Sequence, residues 1–251
     1  MSEITNLKPV SMYTITANLM THILEIVTDR FGEEGRTVIQ TGVQNVVDEQ
    51  QAEVNGKLNE DTLFLFDKVF DDEKIKKTFQ AYSEVQKQEN RNPHTMFAIM
   101  AKLFAYIAKA VVGRYGKEKG ERAMMDSVGA FGEERGQDIA RRAAAVGKPN
   151  TMDNYLSNYD MGRSDLFEYE TLFHPTEIEQ TFTKCAFAEQ WKKDGVEEYG
   201  ILYCHMIDPS IAKGFNPRFQ VVHDQYVLKD GVCHFRFQMK DENKSNPETC
   251  T

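Results

Sequence analysis

From Ser11 to about Gly147 the apolar residues recur at spacings of three and four, which is the period of an amphipathic helix. Ala, Glu, Lys and Met are frequent in this part and runs of β-branched residues are few, a composition that favours helix. The pattern predicts at least four helices. The clearest predicted start is Asn92-Pro93, an N-cap residue followed by proline at the first helical position.

The most apolar stretch of the chain runs from Met96 to Val112. Two charges, Lys102 and Lys109, interrupt it, so it is too short and too charged at its centre to span a bilayer comfortably. We predict a buried helix with no membrane role. The two lysines are seven residues apart and are expected on one exposed stripe of that helix.

Residues 148–165 are rich in Asn, Asp, Ser and Gly, the composition of a connecting loop. Beyond this loop the pattern mixes strands and helices, which predicts an α+β fold. We predict a helical domain over 1–150 and a smaller α+β unit with an antiparallel sheet over 165–240. The polar tail over 241–251, which holds Cys250, is predicted to be disordered. The predicted elements are strands at Glu168 to His174 and Ile178 to Lys184, and helices at Cys185 to Lys193 and Val196 to Ile207.

Two strand-like segments, 218–228 and 232–240, are joined through Asp230-Gly231, a strong signal for a two-residue hairpin turn. Side chains two apart share a face of a strand. With that turn, Cys233 and Asp224 are predicted to face the core, and His223 and His234 to face away. Burying the carboxylate of Asp224 on an apolar face costs free energy unless it has a partner or a functional role. A shift of the strand register by one residue would reverse the predicted faces.

A short glycine-containing pattern occurs three times, at 31–35, 115–120 and 131–136. Glycine ends a helix and acidic residues suit the start of the next, so the copies are interpreted first as helix punctuation. The alternative is that one copy helps to line a ligand site. Under that alternative the residues to test are Glu133, Glu134 and Arg135.

Charge and cysteine usage argue against several classes of function. The 251 residues carry a formal net charge of -9, which repels a phosphate backbone, and no basic stripe offsets it, so no nucleic-acid partner is expected. The four cysteines form no C-x-x-C pair, which favours reduced thiols over a zinc ribbon. The first residues lack a secretory pattern, so we expect a cytoplasmic protein. A homo-oligomer stays open, because the apolar helix could also pack across a dimer.

Several residues of the C-terminal third could carry chemistry. Cys185 opens a predicted helix, whose dipole would lower a thiol pKa. Cys204 and Asp208 are four apart and share a side of one continuous helix, although Asp208 before Pro209 equally suits the N-cap of a short new helix. The turn at 214–217 could deliver the amide of Asn216 to a pocket. Each cysteine has the simpler interpretation of a buried inert thiol.

Four short segments then carry a joint signal: C-x-x-A-E-x-W at 185–191, Y-C-x-x-x-D at 203–208, G-F-N-P at 214–217 and D-G-x-C-x-F at 230–235. Together they resemble the L-2-amino-thiazoline-4-carboxylic acid hydrolase family, most strongly over residues 165–240. That family's helical region is also similar to the G-E-E-R-G at 132–136. The resemblance implies hydrolytic opening of a small cyclic amidine or related C–N heterocycle.

The expected mechanism uses cysteine and carboxylate groups. A thiolate at Cys204 or Cys233 would attack the C=N carbon while Asp208 shuttles the proton, so these three are the predicted catalytic residues. The predicted substrate-binding residues are Cys185, Asn216, Arg218, Asp224 and Arg236, the two arginines as clamps for a substrate carboxylate. We expect a small heterocyclic substrate and no cofactor.

Two other functions stay open. The first is a zinc-dependent hydrolase in which Cys185, Cys204 and Cys233, with His205 or Asp208, hold the metal and its bound hydroxide attacks. The second is a small-molecule binding module without catalysis, in which the helices transmit occupancy or form a dimer.

Overall fold

The structure is a computed structural model that describes residues 7–58, 71–162 and 165–239. The predicted tail over 241–251, with Cys250, lies outside the described residues. The first half is helical, as the periodicity predicts. Its helices are α1 (Met12–Glu53), α2 (Asp72–Gln88), α3 (Met96–Tyr115) and α4 (Lys117–Ala145).

Helix α3 begins later than its sequence signal indicates. Its N-cap is Thr95, whose hydroxyl accepts a hydrogen bond from the backbone N–H of Ala98 at 3.2 Å. The predicted start at Asn92-Pro93 is therefore wrong, because those residues precede the helix in an irregular segment. A threonine cap satisfies one of the free amides at a helix start as well as asparagine does.

Helix α3 is the central helix of the core. It is long and apolar enough to cross a membrane by length and composition, but most of it is buried inside the protein. Lys109 is exposed as predicted, whereas Lys102 is buried, contrary to the prediction. Its ammonium lies 2.6 Å from Glu49 and 3.0 Å from Asp194, and these carboxylates compensate the buried charge.

The second half mixes short helices with one sheet, so the α+β class is confirmed. All sheet pairings are antiparallel and the strand order is β1-β2-β4-β3. The elements are α5 (Met152–Tyr155), a 3-10 turn (Leu156–Asn158), β1 (Phe167–Phe173), β2 (Glu177–Cys185), α6 (Ala186–Asp194), α7 (Glu197–Phe215), β3 (Phe219–Gln225), α8 (Val227–Asp230) and β4 (Cys233–Met239).

The β3–β4 hairpin exists, but Asp230-Gly231 is not a two-residue turn. The one-turn helix α8 fills the connection, and Gly231 ends it with φ +80°. The register also shifts between His223 and Gln225, so Asp224 lies at an irregular position of β3. An extra residue in one strand sends the side chains that follow it to the opposite face.

This shift reverses half of the face assignment. Cys233 is buried and His234 points outward, as predicted. His223, however, lies against the core ring of Phe235 with the ring centroids 4.0 Å apart. Asp224 is 42% exposed and binds His234, so its predicted inward position is wrong.

Helices α4 and α7 touch almost backbone to backbone. A Cβ atom at Gly136 would lie 2.1 Å from the carbonyl oxygen of Ile211, and one at Gly214 would lie 2.1 Å from that of Glu133. The third glycine pattern therefore lies inside α4 and lets α7 approach, and its prediction as the start of a helix is wrong. Gly32 and Gly116, in the first two copies, do break helices, with φ +68° and +81°.

Helix α7 continues through Pro209, so Asp208 is a residue of the helix interior and the N-cap interpretation is wrong. Tertiary packing of α7 against α4 holds the helix across the proline, which cannot donate a backbone hydrogen bond. Buried residues from both sides of the segment 148–165 belong to one hydrophobic cluster. The division into 1–150 and 165–240 stays a prediction about units of folding.

Candidate functional site

Three cysteines from three different elements converge inside the α+β part. Cys185 ends β2 and caps α6, Cys204 lies in α7, and Cys233 begins β4. Burial raises the pKa of Cys185 to about 11 and of Cys233 to about 12, and it raises the pKa of Cys204 well above the ordinary value. Cys185 and Cys233 add to the shift of Cys204, and Cys185 adds to the shift of Cys233.

Asp208 is the carboxylate that all three cysteines share as an electrostatic neighbour. It is one helical turn after Cys204 and acts electrostatically on all three cysteines. Burial raises the pKa of its carboxyl group to about 6, and the nearby guanidinium of Arg135 opposes that shift. Among the four groups, Asp208 is therefore the one whose pKa lies near physiological pH.

We call Cys185, Cys204, Asp208 and Cys233 the cysteine recess. Loss of contact with bulk water is the main cause of the pKa shift of all four. Even so, three of them, Cys185, Cys204 and Asp208, keep partial surface exposure. Mostly buried side chains that keep some contact with the surface can line a small-molecule site.

Tyrosine side chains surround the recess. The phenol groups of Tyr159, Tyr203 and Tyr226 lie within electrostatic reach of Asp208, and burial raises the pKa of each one. They are neutral at physiological pH and can donate a hydrogen bond. The recess therefore combines one carboxylate, three protonated thiols and neutral O–H donors.

Arg135 supplies the positive charge beside the recess. Its guanidinium binds Asp160 with two hydrogen bonds, Nε to Oδ2 at 2.9 Å and Nη2 to Oδ1 at 2.6 Å, and both side chains are about 95% buried. The rings of Phe131 and Tyr159 face the guanidinium at 5.3 and 5.7 Å. This pair joins α4 to the segment before β1 and fixes the positive charge near Asp208.

The sulfur atoms are held by backbone amides. The N–H of Val227 donates to Sγ of Cys233 at 3.1 Å. At the start of α6 the amides of Phe187 and Ala188 favour the thiolate of Cys185, although no capping hydrogen bond forms there. Burial outweighs these amides, so the expectation that the helix dipole lowers the pKa of Cys185 is wrong.

The structure brings together four of the eight predicted site residues and leaves four outside the recess. Asn216 donates to the carbonyl of Asn150 at 2.8 Å and accepts from the N–H of Arg218 at 2.9 Å, so its amide is occupied in the turn after α7. Arg218 is exposed. Asp224 and Arg236 lie 3.6 Å apart on the outer face of the sheet, away from Cys233.

The sequence pattern pointed to only some of the other residues near the cysteine recess. Arg135 stood out through the G-E-E-R-G pattern, but its partner Asp160 lies in a segment whose composition reads as loop. Tyr203 precedes Cys204, yet an aromatic residue in a helix is more often core than site. His223, whose pKa is lowered to about 4 by burial, was assigned to the wrong face.

The cysteine recess lacks the geometry of a preformed zinc site. Zinc–sulfur bonds of about 2.3 Å place tetrahedral ligand atoms roughly 3.8 Å apart. Over residues 7–58, 71–162 and 165–239, a single group of three His, Cys, Asp or Glu side chains has ligand atoms all within 4.8 Å of one another. That group is His174, Glu177 and Glu179, on the other face of the sheet.

Comparison with known proteins identifies the chain as an enzyme-family member. A profile of the family described as L-2-amino-thiazoline-4-carboxylic acid hydrolase matches residues 96–237, more than half of the chain. The protein belongs to this family of hydrolases. The matched region contains α3, α4, the sheet except the last two residues of β4, and the whole cysteine recess.

The other comparisons add no argument about function. No curated protein matches the chain. Among solved structures, an oxygen-binding H-NOX domain related to soluble guanylate cyclases is 13% identical, covers 92% of this chain and 100% of its own, and has a TM-score of 0.24. A structure from work on haem distortion in the H-NOX family is 10% identical, with 94% and 100% coverage and a TM-score of 0.24. TM-scores of this size do not establish a shared fold.

Proposed function

We propose that this protein opens a small cyclic amidine related to 2-aminothiazoline-4-carboxylate by hydrolysis, with the cysteine recess as its active site. One observation supports the proposal: Cys185, Cys204 and Cys233 come from separate elements and all three lie within electrostatic reach of one carboxylate, Asp208. The family match covers all four residues. Cys204 and Asp208 are the proposed reacting pair because they lie one turn apart on α7.

The pKa values assign the proton transfers. At neutral pH the carboxyl group of Asp208, with a pKa of about 6, is mostly ionised, whereas the three thiols are protonated. Asp208 is therefore the general base. It takes the proton from the thiol of Cys204 as the sulfur bonds to the amidine carbon, whose C=N π electrons move onto nitrogen.

The reaction is completed by breaking the ring. Asp208 returns its proton to the heteroatom that leaves the tetrahedral carbon, which opens the ring and leaves an adduct on Cys204. A water molecule then adds to the same carbon and releases the cysteine as a thiol. We assign to the neutral phenols of Tyr159 and Tyr203, which lie within electrostatic reach of Asp208, the role of donating hydrogen bonds to negative charge that develops in the recess.

A second candidate is a binding module without turnover. The observation that favours it is that no recess thiol has a lowered pKa, whereas catalytic cysteines are usually partly ionised. The two candidates differ in one measurable way. Only the hydrolase releases a product heavier than the heterocycle by one water.

The test measures ring opening by mass spectrometry and by appearance of a new thiol. We expect Asp208→Asn to lower kcat by roughly 10²- to 10⁴-fold, the usual contribution of a general base. Cys204→Ala should abolish the covalent adduct and turnover. The control is Asp138→Asn, an exposed carboxylate of α4 paired with Arg141, which should leave the rate unchanged.

Each outcome decides between mechanisms. Full activity of Cys204→Ala together with loss in Cys233→Ala moves the nucleophile to Cys233. Full activity in both variants, with loss in Asp208→Asn, means that Asp208 activates water directly. Binding without ring opening across a panel of cyclic amidines would sink the hydrolase proposal and favour the binding module.

The pH dependence gives an independent check. Because the pKa of Asp208 is raised to about 6, kcat/KM should rise as the pH increases through about 6 and then level off. A profile that is flat between pH 5 and 8, or one that Asp208→Asn retains, would show that another group is the base.

A further inference from the structure

A second cluster of ligating side chains lies on the outer face of the sheet, at the β1–β2 turn. We infer that His174, Glu177 and Glu179, here called the turn triad, bind a divalent transition-metal cation. One ring nitrogen and one oxygen from each carboxylate all lie within 4.8 Å of one another. This set offers one imidazole and two carboxylates, ligand types that suit zinc, cobalt, iron(II) and manganese.

The backbone fixes the three ligands relative to one another. The N–H of His174 donates to the carbonyl of Glu177 at 2.9 Å and closes the turn between β1 and β2. Glu177 and Glu179 are two residues apart on β2, so their side chains leave the same face of the sheet. The triad is therefore built on a tight hairpin, and it needs no loop movement to assemble.

Neighbouring side chains orient the carboxylates. Gln238 donates to Oε2 of Glu177 at 2.7 Å, and Nε2 of His234 lies 2.8 Å from Oε1 of Glu179. The other oxygen of Glu179 faces His174 at 3.1 Å. Each carboxylate therefore has one oxygen held by a neighbour on β4, and partners of this kind orient the ligands of a metal site.

Charge on this face also favours a cation. Next to the triad, the carboxylates of Glu177, Glu179 and Asp224 have one permanent cation beside them, Arg236, which is paired with Asp224 at 3.6 Å. His234 lies between Glu179 and Asp224, with its ring nitrogens 2.8 and 2.6 Å from their carboxylate oxygens. A bound divalent ion would neutralise the remainder.

The turn triad is separate from the cysteine recess. On β4, Cys233 points into the core and the next residue, His234, points outward, so the two sites lie on opposite faces of the sheet. The inference therefore does not depend on the proposed hydrolase activity. The metal would clamp the β1–β2 hairpin and leave water in its open coordination positions.

The experiment uses Co²⁺ as the probe, with protein whose affinity tag has been removed. Visible absorption reports the ligand type, because thiolate ligands add an intense charge-transfer band and nitrogen and oxygen ligands do not. We expect one Co²⁺ per chain without that band. Glu179→Gln, which keeps the shape and removes the charge, should weaken binding by more than roughly tenfold, and His234→Ala by roughly 10- to 100-fold through loss of orientation.

The matched control is Glu170→Gln. Glu170 is an exposed carboxylate on β1 that pairs with Thr181 on the same outer face, and it is not a member of the triad. Binding that is equal in Glu179→Gln and Glu170→Gln would reduce the triad to an ordinary surface ion-pair cluster and overturn the inference. A thiolate charge-transfer band that appears in the unmodified protein and also in Glu179→Gln would place the metal at the cysteines, and it would likewise overturn the inference.

Discussion

The close approach of α4 and α7 gives a prediction whose size follows from the structure. Gly136→Ala adds a Cβ atom 2.1 Å from the carbonyl oxygen of Ile211 and 2.6 Å from the amide nitrogen of Phe215, and both neighbours are backbone. Real Cβ contacts stay above 3.0 Å, so the helices must separate by roughly 1 Å. A gap of that size forfeits about a quarter to a half of the dispersion energy of each contact across it.

The expected loss is larger than the gain in helix propensity. Overpacking of this kind costs about 1–3 kcal/mol, and three backbone clashes, with Ile211, Phe215 and Gly214, place Gly136 at the upper end. Replacing a helical glycine by alanine returns about 1 kcal/mol. The free energy of unfolding of Gly136→Ala should therefore fall by about 2 kcal/mol relative to the unmodified protein.

The assay is urea denaturation followed by circular dichroism, with Gly113→Ala as the matched control. Gly113 lies in α3 and a Cβ atom there meets nothing within 4 Å, so this variant should gain about 1 kcal/mol from propensity alone. The two variants make the same chemical change in a helix. Equal stabilities would refute the reasoning, because they would mean that α4 and α7 separate at no cost.

Two further predictions concern buried charge. Arg135→Met leaves the carboxylate of Asp160 buried without its partner and should lower the free energy of unfolding by about 3–5 kcal/mol. Adding Asp160→Asn to this variant should recover part of that loss. Urea denaturation measures both, and no recovery in the double variant would contradict the pairing. The pKa of His223 is lowered from 6.5 to about 4, so the unfolded chain binds more protons in that interval and stability is lost as the pH falls from 6.5 to 4. His223→Phe keeps the ring and should make this decline less steep, and an unchanged slope in denaturation at several pH values would count against the buried neutral imidazole.

Local sequence signals predicted much of the fold. The period of three to four residues over 11–147 found the helical half, and the change of texture after 148–165 found the mixed unit. Both depend on spacing along one chain segment, which tertiary contacts did not override. Helix α6 followed in the same way, and the structure ends it at Gly195 in the left-handed conformation.

The site was harder to predict because its geometry depends on exceptions to local rules. An irregular position at Asp224 moved that carboxylate outward and His223 inward, and strand parity cannot anticipate such a shift. Pro209 suggested a helix end at Asp208, yet packing against α4 keeps α7 continuous and holds Asp208 in phase with Cys204. Lys102 looked exposed because its partners, Glu49 and Asp194, are distant in sequence.

The sequence alone determined the α+β class, the reduced state expected of its cysteines, and the motif residues Cys185, Cys204, Asp208 and Cys233, because these depend on composition and short spacings. Tertiary structure alone decided that these four residues lie within electrostatic reach of one another, since β2, α7 and β4 contribute them from distant parts of the chain. It also decided that their thiols are protonated and that Asp208 has a pKa near 6, because burial is a property of the folded chain.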